Sequence, residues 1–186
     1  MKTQFREHFS AHAEAVQRTL DQIDGPVASA AEALVERLRN GGKVLTFGNG
    51  GSSAEASHFA EELVGRFRKN RRPLPAISLS SDSGTVTCIA NDFGYETLFE
   101  RQVEAFAQPG DVTVALTTSG KSENVLRALR AARSRGALTI ALTGEAGLSG
   151  AEADHVIAIP SSDTAIVQEL HLIVIHCFCL AVEEAF

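Results

Sequence analysis

Cysteine is scarce in this chain, and the scarcity limits both disulfide and metal chemistry. Three cysteines among 186 residues are too few for a disulfide framework. Cys177 and Cys179 are two residues apart, so on a helix they point to nearly opposite sides and cannot bind one metal ion. We therefore expect these two and Cys88 to be small, reduced, hydrophobic residues.

Basic charge is also in deficit. The 17 Lys and Arg residues against 23 Asp and Glu give a net charge of −6, so the overall field does not favour non-specific nucleic-acid binding, and we expect no nucleic-acid partner. An anionic ligand would have to be held by local donors. The one basic run, residues 66–72, is interpreted as a solvated helix end with cations near its C-terminus.

An uninterrupted apolar segment is missing. The first five residues contain no apolar signal core, so we expect a cytoplasmic protein. The most apolar stretch, 165–182, has a polar load that a membrane span rarely carries, so we expect no membrane partner. That load consists of Gln168, Glu169, His171 and His176. The chain also lacks low-complexity tracts, repeats and linkers, which predicts one domain over residues 1–186.

Short apolar runs alternating with helical stretches dominate what remains. Two helices are predicted within residues 1–40, where we expect them to serve in packing and oligomerisation; their ranges are 4–23 and 27–40. Five apolar runs follow, at 43–47, 75–79, 112–116, 138–142 and 155–159. Helical periodicity separates or follows most of them, at 53–68, 97–107, 122–135 and 163–184. This alternation predicts a three-layer α/β/α sandwich with a five-stranded parallel sheet.

Ligands of such open sheets bind beyond the carboxyl ends of the strands, so the turns after Phe47 and Leu116 are the candidate sites. The first turn has the sequence Gly48-Asn49-Gly50-Gly51-Ser52. Glycines let backbone N–H groups approach a ligand closely, and the following helix start adds partial positive charge. A tight turn between strand and helix needs glycine as well, so this motif alone leaves both interpretations open.

The second turn is rich in hydroxyl groups. Thr117, Thr118, Ser119 and Ser122 lie within six residues, beside Gly120 and at a helix start. A single N-cap would need one hydroxyl, whereas four of them favour a nest for an anion such as phosphate.

Two polar pairs lie on predicted helices. His58 and Glu62 are at positions i and i+4, so they share a helix face and suit one metal ion. A plain surface His–Glu pair is the alternative. Gln168 and His176 lie eight residues apart on the apolar C-terminal helix, and buried polar groups there need partners. A core histidine bonded to a backbone carbonyl is the alternative interpretation for His171 or His176.

Five motifs occur in order over nearly the whole chain. They are Gly48-Asn49-Gly50-Gly51-Ser52, His58-Phe59-Ala60-Glu61-Glu62 with Gly65-Arg66, Asn91-Asp92-Phe93-Gly94, Thr118-Ser119-Gly120 with Ser122 and Asn124, and Gln168-Glu169 with His171 and His176. This set resembles the phosphoheptose isomerases, a family of single sugar-isomerase (SIS) domains with a flavodoxin-like fold. The Thr-Ser-Gly turn is typical of any SIS domain, whereas the His-Phe-Ala-Glu-Glu block with the C-terminal Gln and His is far more specific.

The resemblance implies a role for each matching residue. Glu62 and His176 would be the catalytic base and acid, and one Zn²⁺ would be bound by His58, Glu62, Gln168 and His176. Substrate contacts would come from those four residues and from Asn49, Gly50, Gly51, Ser52, Asn91 and Asp92. The phosphate would be held by Thr117, Thr118, Ser119 and Ser122. Ile166 departs from the family pattern, because relatives often have Arg at that position.

The resemblance also implies an activity and an assembly. Members of the family are homotetramers with sites at subunit contacts. They convert sedoheptulose 7-phosphate to D-glycero-D-manno-heptose 7-phosphate, the first step of nucleotide-activated heptose synthesis for lipopolysaccharide. Two alternatives remain: a non-catalytic SIS protein that binds phosphosugars or associates with the replication initiator, and a SIS enzyme acting on another phosphosugar. The presence of both Glu62 and His176 favours the isomerase.

Overall fold

The computed structural model describes residues 2–21, 23–149 and 153–186. In chain order the elements are α1 (Lys2–Leu20), α2 (Ala28–Arg39), β1 (Val44–Gly48), α3 (Gly51–Val64), β2 (Ala76–Ser78), α4 (Ser83–Phe93), α5 (Leu98–Phe106), β3 (Val112–Thr117), α6 (Glu123–Ser134), β4 (Leu138–Thr143), β5 (His155–Ala158) and α7 (Thr164–Ala185). A π-helical turn at Ile23–Val27 precedes α2, and a 3₁₀ turn at Tyr95–Thr97 precedes α5.

The five strands form one parallel sheet in the order β2-β1-β3-β4-β5. The chain moves from β1 outward to β2 and then crosses back to β3 on the other side of β1. This reversal opens a crevice at the carboxyl ends of β1 and β3, where doubly wound sheets bind their ligands. The predicted fold class is confirmed.

Two apolar layers explain why the apolar runs become strands. β1 and β3 are buried at every residue, and β4 at every residue except its first. Their side chains therefore alternate between an apolar core on one face of the sheet and a second core on the other. One core contains side chains of α1, α2, α3 and α7, and the other contains those of α4, α5 and α6. Thus α3 and α7 lie on the same face of the sheet.

The C-terminal helix α7 is long and apolar enough, by composition alone, to cross a membrane. In this fold it is a core helix: Leu170, Val174 and Phe178 are buried against the sheet and α3. Its polar residues lie at the candidate site, as described below.

Apart from shifts of one or two residues at the helix ends, the helices differ from the prediction at three places. α3 ends at Val64 and not at 68, because Gly65 leaves the helical conformation with ψ −109°. α1 ends at Leu20, short of the predicted 23; residue 22 lies outside the described residues. The prediction missed α4, whose N-cap Asp82 accepts a hydrogen bond from the backbone N–H of Gly84. The glycine and β-branched threonines of α4 obscured its helical pattern.

Candidate active site

The candidate site lies along the groove where α3 packs against α7. Both helices run in the same direction away from the strand ends, so successive turns face each other. Gly51 faces Gln168, whose Nε2 would lie 2.6 Å from a Cβ at residue 51. Further along, the Nε2 atoms of His58 and His176 lie 3.2 Å apart. The groove therefore has two ends, which eight helical residues place about 12 Å apart.

The end nearest the strands opens into a cavity of about 250 Å³. Both predicted turns line it, because β1 and β3 are neighbours in the sheet. Its walls are formed by Asn49, Gly50, Gly51, Ser52, Leu116, Thr117, Thr118, Ser122, Thr164 and Gln168. Small-molecule sites usually measure about 300–1,000 Å³, so this cavity suits one end of a ligand.

Hydroxyl groups of the second turn are available to a ligand. Ser122 is the N-cap residue of α6, yet its side chain makes no capping hydrogen bond within the part of the chain described. The buried hydroxyl of Thr117 likewise has no partner among the described residues. Ser119 differs, since its Oγ accepts a hydrogen bond from the backbone N–H of Lys121 and it does not line the cavity. Unpartnered hydroxyls favour anion binding over simple capping.

Asn49 is fixed in the first turn by a reciprocal pair of amide hydrogen bonds. Its Nδ2 donates to Oδ1 of Asn124 at 2.9 Å, and its Oδ1 accepts from Nδ2 of Asn124 at 2.8 Å. The Tyr95 hydroxyl also donates to Oδ1 of Asn49, at 2.9 Å. The sequence did not single out Tyr95, because a 3₁₀ turn between helices has no motif. The sequence analysis also did not identify Thr164 as a cavity residue, although a hydroxyl group at the start of a helix is typical of an anion-binding site.

A His–Glu–His group occupies the other end of the groove. The Nε2 atom of His58 lies 3.2 Å from that of His176 and 3.4 Å from Oε1 of Glu62. Atoms bound tetrahedrally to zinc at about 2.0–2.1 Å are themselves about 3.3 Å apart. The buried Oε2 of Glu62 has no hydrogen-bond partner within residues 2–21, 23–149 and 153–186. These three residues could therefore hold a metal ion, and the interpretation as a plain surface pair is wrong.

The imidazole of His176 is held in place by its surroundings. The Phe67 ring stacks on it with centroids 5.1 Å apart, and the Arg68 guanidinium lies 4.8 Å from the Phe67 centroid. Burial lowers the pKa of His176, and nearby His58 lowers it further, against the opposing effect of Glu62. The neutral ring that results is the form that binds a metal.

The basic run at 66–72 follows α3 and partly caps it. The Arg71 guanidinium donates to the backbone oxygens of Glu62 at 2.5 Å and Leu63 at 2.8 Å. Cations therefore lie near the helix C-terminus as predicted, but the run is not itself helical because α3 has already ended. These bonds fix the turn from which Glu62 projects.

The two histidines of α7 have different environments. His171 is fully buried, and its Nε2 lies 3.1 Å from the carbonyl oxygen of Thr143. His171 is therefore the core histidine of the alternative interpretation, whereas His176 faces the His–Glu–His group.

The remaining predicted site residues, Gln168, Asn91 and Asp92, lie outside the His–Glu–His group. The Gln168 amide is at the cavity end, where Nε2 donates to Oγ of Ser52 at 3.5 Å. Asn91 and Asp92 are exposed on α4, where Nδ2 of Asn91 donates to Oδ1 of Asp92, and neither lines the cavity. Metal binding by Gln168 and substrate contacts of the α4 pair stay predictions.

The sheet order, the hydroxyl-lined cavity at its crevice and the polar groove beside it define the class of protein. The family model described as the SIS domain matches residues 7–144. The fold and the turns around the cavity are thus those of a sugar-isomerase domain.

Comparison with individual proteins narrows the class. The chain is 48% identical to a phosphoheptose isomerase of Aquifex aeolicus, over 99% of this chain and 95% of that protein. The solved phosphoheptose isomerase of Francisella tularensis has a TM-score of 0.93 at 35% identity, covering 98% of this chain and 97% of that one. That of Neisseria gonorrhoeae has a TM-score of 0.90 at 36% identity, covering 98% of each chain. This chain belongs to the phosphoheptose isomerase family, as its motifs indicated.

Proposed function

We propose that the chain is an aldose–ketose isomerase that converts sedoheptulose 7-phosphate to D-glycero-D-manno-heptose 7-phosphate. The observation that carries the proposal is the convergence of His58, Glu62 and His176 from two helices at one end of the groove. The hydroxyl-lined cavity at the other end supports a phosphorylated substrate. Relatives named phosphoheptose isomerase at 42–48% identity support the seven-carbon sugar.

The cavity is proposed to bind the phosphate end of the sugar. Thr117, Thr118 and Ser122 offer hydroxyls at the cavity, and Ser119 in the same turn is proposed to contact the phosphate as well. The N-terminus of α6 adds backbone N–H groups. The first turn supplies further substrate contacts from Asn49, Gly50, Gly51 and Ser52. Binding energy from this unreactive end holds the reacting carbons in position.

At the other end, Glu62 and His176 are proposed to move protons. Isomerisation passes a proton between C1 and C2 through a cis-enediol. Glu62 takes the proton from one carbon and returns it to the other. Its Oε2, which has no hydrogen-bond partner among the described residues, is suited to this task. His176 exchanges a proton with the sugar oxygen during ring opening.

We propose that the same group holds one Zn²⁺ through His58, Glu62 and His176. When bound, the ion supplies Lewis-acid polarisation of the oxygen on C1 or C2. The family resemblance adds Gln168 as a fourth ligand, which requires its amide to turn away from Ser52. One carboxylate oxygen of Glu62 would then bind the ion, and the other would transfer the proton.

The experiment is turnover of sedoheptulose 7-phosphate by the wild type, Glu62→Gln and His176→Gln. We expect at least a hundredfold loss of kcat in each variant, in line with general acid–base catalysis. Glu36→Gln, an exposed carboxylate change on α2, is the matched control and should retain full activity. Full activity in Glu62→Gln or His176→Gln would remove that residue from its assigned role.

Substrate range and partners separate the alternatives. Turnover of five- and six-carbon ketose phosphates should be weaker than that of the seven-carbon substrate. No turnover of any phosphosugar, together with stoichiometric capture of a replication initiator, would instead identify a non-catalytic SIS protein.

We further propose that the chain forms one domain over residues 1–186 and assembles as a cytoplasmic homotetramer. The helices of residues 1–40 would pack between copies, and exposed Phe5 and Phe9 on α1 support this. The product would enter nucleotide-activated heptose synthesis for lipopolysaccharide. Nucleic acid and membrane are not proposed as partners.

A further inference from the structure

Midway along the groove, between its two ends, a carboxyl group and an imidazole face each other. Oε2 of Glu55 on α3 lies 3.9 Å from Nδ1 of His171 on α7. The side chains are only 14% and 0% exposed, respectively. Neither atom has a hydrogen-bond partner among the residues described. Two buried polar atoms left in this way are costly unless a proton lies between them.

The contact of His171 with the sheet fixes which nitrogen carries hydrogen. Its Nε2 lies 3.1 Å from the carbonyl oxygen of Thr143, at the end of β4. A carbonyl can only accept, so Nε2 donates and Nδ1 of the neutral ring presents a bare lone pair to Glu55. Burial lowers the pKa of His171 to about 4 from an ordinary value of 6.5, so the ring is neutral at physiological pH.

An ionised Glu55 would therefore place an acceptor against an acceptor. A protonated carboxyl group has the one donor that this arrangement lacks. Burial raises the pKa of Glu55 to about 7 from an ordinary value of 4.5, which favours the protonated form. The 3.9 Å separation is about 1 Å longer than a hydrogen bond, and the terminal torsion of glutamate is broad enough to close it.

Few other ionisable groups face this pair. Strands β1, β2, β3 and β4, which pack against the two helices, contain none. The nearest on α3 is His58, one turn further along. On α7 it is Glu169, whose carboxylate pairs with His8 and His12 of α1. The charged residues of α2, which packs on α7, are Glu32, Glu36, Arg37 and Arg39, and all are exposed except Arg37, which is half-buried.

We propose that Glu55 is a neutral carboxylic acid below neutral pH and donates its proton to Nδ1 of His171. Glu55, His171 and the Thr143 carbonyl then form an uncharged hydrogen-bonded chain from α3 through α7 to β4. The two helices that it joins carry both ends of the candidate site. Glu55 and His171 are thus positioning residues; this catalytic consequence rests on the proposed function, whereas the protonation does not.

The protonation is tested by thermal unfolding of wild type and Glu55→Gln between pH 5 and 8. At pH 5 the folded wild type keeps a proton that the unfolded chain has largely lost, and this stabilises the fold. The advantage disappears as the pH rises through about 7. Because glutamine does not titrate, the Tm of Glu55→Gln minus that of the wild type should rise by a few degrees between pH 5 and 7.5.

The contribution of His171 is common to both proteins and cancels in this difference. Glu36→Gln is the control, and its difference from the wild type should not change with pH. Carbon-13 NMR of the wild type should show one carboxyl titrating near pH 7 that is missing in Glu55→Gln. A difference in Tm that is flat or falls with pH, or the absence of that carboxyl signal, would overturn the proposal.

The positioning role is tested by activity on sedoheptulose 7-phosphate. The Glu55→Gln amide can still donate to Nδ1, so kcat should stay within about threefold of the wild type and lose any dependence on a group titrating near pH 7. Glu55→Leu cannot donate, and its kcat should fall at least tenfold. A loss in Glu55→Gln as large as that in Glu55→Leu would show that the carboxylate charge is needed and would contradict the role. If no protein turns over the sugar, the proposed function fails, while the unfolding and NMR results still decide the protonation.

Discussion

At the scale of single residues, Ser122 is the position at which ligand binding can be distinguished experimentally from helix capping. It begins α6 and lines the cavity, yet its hydroxyl makes no capping bond within the described chain. Removal of the hydroxyl should therefore affect the ligand and leave the fold unchanged.

The prediction is that Ser122→Ala raises KM for the phosphosugar about 10- to 100-fold, because a hydrogen bond to a charged group contributes about 1.5–3 kcal/mol. The Tm should change by less than about 2 °C, since no native bond is lost. Ser134→Ala at the other end of α6, where the hydroxyl donates to the backbone oxygen of Arg130, is the control and should leave KM unchanged. A large fall in Tm with an unchanged KM would mean that Ser122 is a cap after all.

At the scale of elements, α3 and α7 meet at the cavity through Gly51 and the amide of Gln168. A Cβ at Gly51 would lie 2.6–2.9 Å from the amide atoms of Gln168. A methyl group there would therefore displace the Gln168 amide, the far end of a flexible side chain, from its place at the cavity.

Gly51→Ala should change the free energy of unfolding by about 1 kcal/mol or less, because only the end of the flexible Gln168 side chain has to move, and should lower kcat/KM at least tenfold. Gly25→Ala is the matched control, since nothing lies within 4 Å of the added atom. Calorimetry and steady-state kinetics measure the two effects. Activity equal to that of the control would show that the contact between Gly51 and Gln168 is dispensable.

The elements also show what sequence patterns can predict. Runs such as 112–116 are apolar at every position because a strand buried on both faces has no polar side, and this pattern predicted the sheet. α4 was missed because its helical signal is local and weak: Asp82 is a good cap, but Gly84 and two threonines follow it.

The candidate site was predicted only in part, for a similar reason. The i, i+4 spacing of His58 and Glu62 is a local property of a helix. Their meeting with His176, which is 114 residues further along the chain than Glu62, depends on how α3 and α7 pack on the sheet, and no spacing encodes that. The family resemblance supplied this link.

At the scale of the whole molecule, metal binding should stabilise the fold because the ligands come from two helices. Zinc at a hundred times its Kd should add about 2.7 kcal/mol to the free energy of unfolding. A chelator should remove this gain and lower kcat, and added Zn²⁺ should restore both.

The comparison is thermal unfolding with and without zinc, in the wild type and in His58→Ala. The variant should show little response, because it loses one of the side chains proposed to bind the ion. An equal response in both proteins, or full activity with no detectable metal after chelation, would rule out this group as the zinc site.

Assembly is the second property of the whole molecule. Phe5 and Phe9 on α1 are 60% and 77% exposed, an arrangement typical of an interaction surface. If the chain forms the proposed tetramer through α1, Phe9→Glu should reduce its mass in solution, as measured by light scattering. Phe106→Glu, which changes an exposed phenylalanine of α5, should leave it unchanged. A mass unaffected by Phe9→Glu would place the subunit contact elsewhere.

The parallel packing of α3 and α7 has a consequence for which sugars react. If the cavity binds the phosphate and the His–Glu–His group moves the protons, as proposed, the two sites are about 12 Å apart and this separation is fixed by the helices. An anchored phosphosugar with a shorter backbone would then leave its carbonyl short of Glu62, and one with a longer backbone would carry its carbonyl past it. Under the proposed function, the helical rise between the two ends of the groove would thereby select the chain length of the sugar.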